Sequence, residues 1–195
     1  MKRSGSTLRK ELGDISYLEA HLEVCILFLE VGCYKFCEKI QSFHQQVAEY
    51  FSLSFDGSKA VIGKEEFLIV ETLITEVTKI PGIGEKWFKT TIPKDVEFRS
   101  YLNPEHRGMV CKKSVPLSWL EEKWQQLLKA IVVYLTCEGR YNRAMIYHFK
   151  LMNHFTSKSP LNFPFYLHRS LGKMAHQVKS HPSKITGRLS HHGLI

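Results

Sequence analysis

The period of apolar positions along the chain changes several times, and each change predicts an element. Leu18, Leu22, Cys25 and Leu29 recur at helical spacing and predict a helix over 16–31. After Gly32, Phe36, Ile40, Phe43 and Val47 share one face of a second helix over about 35–50. At Phe51 the period drops to two: Phe51, Leu53 and Phe55 alternate with Ser52 and Ser54, the mark of a half-buried strand. Asp56-Gly57 and Gly63-Lys64-Glu65 read as turns on either side of Ala60-Val61-Ile62, and Glu66-Phe67-Leu68-Ile69-Val70 completes a three-stranded antiparallel meander over 51–70. Thr72 to Ile80 predicts a short helix stopped by Pro81-Gly82. Residues 81–116 read as loop, with short helical turns near 85–89 and 96–102.

The clearest periodicity comes later. Ser118-Trp119-Leu120-Glu121 has the form of a capping box, in which hydroxyl and carboxylate satisfy each other's backbone amides. Leu120, Trp124, Leu127, Leu128, Ile131 and Leu135 then make one stripe, with Gly139 as the stop. Asn142 is placed to cap a helix carrying Met145, Phe149 and Met152. Pro164 suits the first turn of a last helix, where Phe163, Leu167, Leu171, Met174 and Val178 recur. The resulting expectation is a single domain, mainly α with a small three-stranded antiparallel β-meander (α+β).

Charge adds a partner. The 195-residue chain carries a formal net charge of +8, unevenly placed. Residues 1–138 hold 18 Lys+Arg against 19 Asp+Glu, a net of −1, whereas residues 139–195 hold 9 Lys+Arg and no acid. A cationic block without internal counter-charges points to an anionic partner. On the last helix Arg169, Lys173, His176 and Ser180 fall in one sector, with Lys179 at its margin, opposite the apolar residues. Arg140, Arg143, Lys150, Arg169, Lys173, His176, Lys179, Lys184 and Arg188 are the candidate nucleic-acid-binding residues, each able to neutralise phosphate or donate a hydrogen bond to it. The aromatic residues around Leu161–Leu167 suggest a second reading, a protein–protein assembly module.

Catalytic chemistry is poorly supplied. Three Asp (Asp14, Asp56, Asp95) give no cluster for two-metal catalysis, and no nucleophile elbow, His-Glu-x-x-His pair or phosphate loop is present. Gly82-Ile83-Gly84-Glu85-Lys86-Trp87 has Trp87 where a dinucleotide fingerprint needs its third glycine, and reads as a turn. An enzyme would have to join distant residues such as Glu105, His106 and Cys111. His21, Cys25, Cys33 and Cys37 lack the paired turns of a zinc site. Neither cofactor, metal nor small-molecule substrate is expected. Five Cys, an odd number without a disulfide framework, together with the absence of a signal-like or membrane-spanning apolar run, point to an intracellular protein of nucleus or cytoplasm.

Several segments in co-linear order resemble the plant transposon protein domain. They include Phe43-His44, Leu53-Ser54-Phe55-Asp56-Gly57, Glu71-Thr72-Leu73-Ile74, Ile80-Pro81 and Gly84-Glu85-Lys86-Trp87-Phe88-Lys89. Leu102-Asn103-Pro104-Glu105-His106-Arg107, Ser118-Trp119-Leu120, Thr136-Cys137-Glu138-Gly139-Arg140, His154-Phe155-Thr156, Pro164-Phe165-Tyr166-Leu167 and Arg169-Ser170-Leu171 follow. The order hairpin, helix, Ile-Pro/Gly-Glu turn is more distantly similar to the plant mobile domain. The resemblance implies a retroelement-derived module without assigned activity, cofactor or catalytic residues. It divides the chain into a partly helical leader outside the match (1–34), the domain (35–180) and a basic tail (181–195) expected to be cut short, since the family continues further.

Overall fold

The structure is a computed structural model and describes residues 15–39, 45–89, 96–110, 113–136 and 142–180. It is mainly helical with two small antiparallel two-stranded sheets, an α+β arrangement. In chain order come α1 (Ser16–Ala20), α2 (Leu22–Glu30), α3 (Tyr34–Lys39), α4 (Gln45–Ser54), β1 (Lys59–Ile62), β2 (Glu65–Leu68) and α5 (Glu71–Thr78). Then follow β3 (Ser114–Pro116), α6 (Glu122–Ala130) continuing as a π-helical stretch Ile131–Thr136, β4 (Arg143–Met145), α7 (Ile146–Thr156) and α8 (Phe163–Ser180). Short 3-10 turns at Arg99–Tyr101, Pro104–His106 and Leu117–Trp119 fill the loop region.

The core is built around α7. Phe149, Leu151, Met152 and Phe155 are fully buried, so three sides of this helix are covered. From α2, Val24 and Phe28 enter the same core, with the Phe28 ring 4.8 Å from that of Phe155. Leu127, Leu128, Ile131, Tyr134 and Leu135 close another side. Tyr101 stacks on Phe149 at 5.9 Å and its hydroxyl bonds to Asn153, which ties the loop region to α7. α8 lies against α4 and α5. Each large buried apolar side chain contributes about 1.5–3 kcal/mol relative to exposure.

Several expectations are corrected. The three-stranded meander is a two-stranded hairpin: β1 pairs with β2 in the register Ala60↔Phe67 and Val61↔Glu66, and Phe51–Ser54 is helical, with Phe55 directly after it. The spacing Phe-x-x-x-Phe satisfies periods of both two and four. In the helix it puts both rings on the buried face, stacked at 4.9 Å, with Leu53 outside. Ser54 then takes the place of a third strand, its hydroxyl bonding to Val61 N–H at 2.9 Å. The Asp56-Gly57 turn joins helix to strand: the Asp56 carboxylate accepts from the Ser58 and Lys59 amides, both at 2.8 Å, and those bonds hold its carboxyl below the usual range.

The capping box at Ser118 does not form. Leu120 is extended, bridged to Leu102, and the Glu121 amide donates to the Tyr101 carbonyl at 3.0 Å. This tertiary pairing outweighs the local signal, so α6 starts three residues late and Glu121 pairs with Arg107 at 2.8 Å. Asn142 is likewise no cap. Its carbonyl accepts from Leu117, β4 pairs with β3 in the region expected to be all loop, and the Met145 amide at the head of α7 donates to His148 Nδ1 at 3.1 Å.

A further correction concerns α2. A break at His21 (φ −123°, ψ 78°) resets the helical phase, so Leu18, Val24 and Phe28 are buried while Leu22 and Leu29 are exposed. The turn expected near 85–89 is not helical either. Ile40, Phe43, residues 1–14 and the tail 181–195 lie outside the described residues, as do the side chains of Met174 and Val178.

Candidate nucleic-acid interface

α8 is aimed by its two ends. Asn162 Oδ1 accepts the Phe165 amide at 2.9 Å, an N-cap, while its Nδ2 donates to the Gly82 carbonyl at 2.9 Å. At the other end the Lys179 ammonium donates to the Phe55 carbonyl at 2.6 Å. Phe163, Tyr166, Leu167, Ser170, Leu171 and Ala175 are buried. The opposite side presents Arg169, Lys173, His176 and Lys179, all exposed, on a helix of 18 residues without a carboxylate. From Arg169 to Lys179 the helix rises about 15 Å. That length spans roughly four phosphates of one strand, spaced about 3.4 Å along a duplex axis.

The other candidates are scattered or spent. Lys150 is engaged: its ammonium lies 2.6 Å from Glu85 Oε1 and 4.8 Å from the Trp87 ring centroid, and its side chain is 12% exposed. Arg143, on β4, donates to Ser114 Oγ at 2.9 Å and to the Ser114 carbonyl at 3.2 Å. Lys158, a cation of the same acid-free block, pairs with Glu30 at 2.8 Å. Arg140, Lys184 and Arg188 lie outside the described residues. Among the described residues, Lys150 and Lys158 fold back onto acids of the N-terminal part, and Arg169, Lys173, His176 and Lys179 are exposed on α8.

Beneath the N-terminus of α8 lies a polar network that periodicity did not reveal. Trp87 Nε1–H donates to His154 Nε2 at 2.8 Å, and His154 Nδ1 donates to the Ser159 carbonyl at 3.0 Å. Burial holds the His154 pKa below the usual histidine value, against the opposing pull of the Ser159 carbonyl and of Glu85. The imidazole is therefore neutral, and Glu85 Oε2, 3.6 Å from Nε2, makes no ion pair with it. Glu85 N–H donates to Pro160 O and Asn162 N–H to Glu85 O, both at 3.0 Å. Gly84 permits this approach, with φ +100° and a position where a Cβ would lie 2.2 Å from the Pro160 oxygen. Tryptophan in a glycine-rich loop was the available signal, since an indole N–H in a core needs an acceptor.

Compared with known proteins, the chain matches no family model, no curated protein and no solved structure.

The remaining sequence candidates do not converge. His106 stacks on Trp119 at 4.7 Å with Glu105 3.8 Å from its Nε2, and Cys111 lies outside the described residues. His21 packs edge-on against Tyr17, and burial pushes the Cys33 thiol up, away from thiolate chemistry. Among the described residues no three His, Cys, Asp or Glu side chains are grouped to hold a metal ion, and no helix is long and apolar enough to cross a membrane.

Proposed function

We propose that the chain is a non-enzymatic module of a plant transposable element that contacts nucleic acid through the exposed side of α8. One observation carries the reading: an 18-residue helix sets Arg169, Lys173, His176 and Lys179 on its solvent side and has no carboxylate anywhere along its length. Solvated helix faces ordinarily mix signs, and a single-sign face gains from released counterions when it meets phosphate. The co-linear motifs from Phe43 to Leu171 support the transposon-derived origin. A site of action in nucleus or cytoplasm belongs to the same proposal. Lys150 and Lys158 are left out of the contact set, because withdrawing either would expose an unpaired Glu85 or Glu30.

The test is charge reversal. Arg169→Glu with Lys173→Glu is expected to abolish retention of a labelled 20-nucleotide oligomer at 50 mM salt, with the melting temperature nearly unchanged. Retention equal to that of the parent chain would remove α8 as the interface.

The assembly reading loses its expected surface. Leu161, Phe163, Tyr166 and Leu167 are buried, so the 161–167 segment offers little to a partner.

A further inference from the structure

An exposed apolar stripe lies on α2. Leu22 is 70% exposed, Ile26 45% and Leu29 54%, while Val24 and Phe28 on the opposite side of the same helix are buried. The spacing i, i+4, i+7 aligns the three in one stripe over two turns, about 10 Å long. Directly after Leu29, residues Glu30, Val31 and Gly32 form one wall of a cleft of about 220 Å³. Ile80, Pro81, Ile83 and Pro160 line it too, and Ile83 is 64% exposed. The backbone at the cleft is constrained: Gly32 and Lys158 both have positive φ, +75° and +54°, and Lys158 is held to Glu30 at 2.8 Å. Non-glycine residues held in this conformation cost of order 1–3 kcal/mol and cluster at ligand clamps.

We infer that this stripe and cleft form a docking groove for a basic amphipathic helix of a partner protein, one large apolar side chain entering the cleft. Three observations select that occupant. The charged residues of α2 are Glu23 and Glu30, seven apart on one flank of the stripe, and α1 adds Glu19. Residues 16–30 contain no Lys or Arg, and with Glu30 already paired to Lys158, Glu19 and Glu23 supply the charge that a partner's flanking cations meet. A helical partner fits because the groove wall is itself a helix with its backbone groups bonded internally, which leaves no edge for an added strand. A second copy presenting the same face would set Glu19 and Glu23, which no cation of residues 16–30 offsets, against like carboxylates. The cleft is large enough for one leucyl or aromatic anchor, the arrangement on which helix-in-groove contacts concentrate their affinity.

The test uses two synthetic 16-residue amphipathic helices with an identical Leu/Phe stripe, one flanked by Lys and the other by Glu. Each is titrated against the full chain by fluorescence anisotropy. The Lys peptide is expected to bind at least tenfold tighter than the Glu peptide, and Leu22→Glu or Ile26→Glu to weaken it at least tenfold. Both positions are exposed, so the variants are expected to keep the parent's melting temperature, and the second checks the first. Equal affinity of the two peptides, no binding of the Lys peptide, or binding unchanged in both variants would overturn the proposal. So would a concentration-dependent dimer dissolved by Ile26→Glu, because the occupant would then be a second copy.

Discussion

Trp87 donates its indole hydrogen to His154 across 2.8 Å, and this bond fixes the imidazole tautomer that joins the glycine-rich loop to α7. Because His154 Nε2 is the acceptor, the proton resides on Nδ1 and is delivered to the Ser159 carbonyl. Replacing Trp87 by Phe keeps most of the buried ring and removes only the donor. A buried acceptor left without a partner costs about 1–3 kcal/mol. Urea unfolding of Trp87→Phe is expected to fall by that amount, and an unchanged midpoint would mean the bond carries no weight.

The same pair predicts a pH dependence. Burial lowers the His154 pKa below its ordinary 6.5, so on acidification the unfolded chain takes up a proton before the folded chain does. The stability contributed by the neutral imidazole is complete above about pH 6.5 and is lost as pH falls towards the lower folded value. The slope is at most about 1.4 kcal/mol per pH unit for one proton. Comparing unfolding midpoints at pH 7.5 and 5.5 in the parent and in His154→Gln isolates this group, since the other histidines are common to both. A smaller loss on acidification is expected for the variant, and identical losses would contradict the assignment.

Gly84 and Gly63 separate strain from collision. Both have positive φ, +100° and +67°, but only at Gly84 would a Cβ meet backbone, the Pro160 oxygen at 2.2 Å. Gly63→Ala is expected to cost about 1 kcal/mol, the ordinary left-handed penalty. Gly84→Ala is expected to cost more than about 2 kcal/mol, which for a chain of this size lowers the melting temperature by roughly 4–8 °C or more. Equal shifts in a thermal melt would mean the loop moves freely away from Pro160.

Two residues of α2 test which face is core. Phe28→Ala removes a fully buried ring and is expected to cost about 3–5 kcal/mol. Leu22→Ala, at an exposed position, is expected to change stability by less than about 0.5 kcal/mol. Denaturant titration reads both, and a large loss at Leu22 would return the helix to the phase its sequence spacing suggests.

That phase error shows where the sequence was legible. On α6 and α8 the apolar residues occupy one sector and the polar residues the other, so Leu127, Leu128, Leu167 and Leu171 could be placed in the core from spacing alone. α2 is apolar on nearly every side, and His21 interrupts the turn before it, so spacing could not say which side packs. The Phe51–Phe55 segment failed because four is a multiple of two. Strands β3 and β4 have three residues each and are far apart in the chain, and the partner of such a short segment is decided by the core around it. On α8, helical phase placed Arg169, Lys173, His176 and Lys179 on the exposed side. The charge count could not reveal that Lys150 and Lys158 are consumed by Glu85 and Glu30, because both ion pairs join residues remote in sequence.

The most direct measurement is the salt dependence of oligonucleotide binding, read by anisotropy of a labelled strand between 50 and 200 mM salt. If Arg169, Lys173 and Lys179 each neutralise one phosphate of the strand, the account predicts affinity falling roughly 18-fold across that range. Lys150→Met should leave that slope unchanged, and Arg169→Glu should flatten it. No binding at 50 mM, or a slope that Arg169→Glu does not alter, would contradict the account.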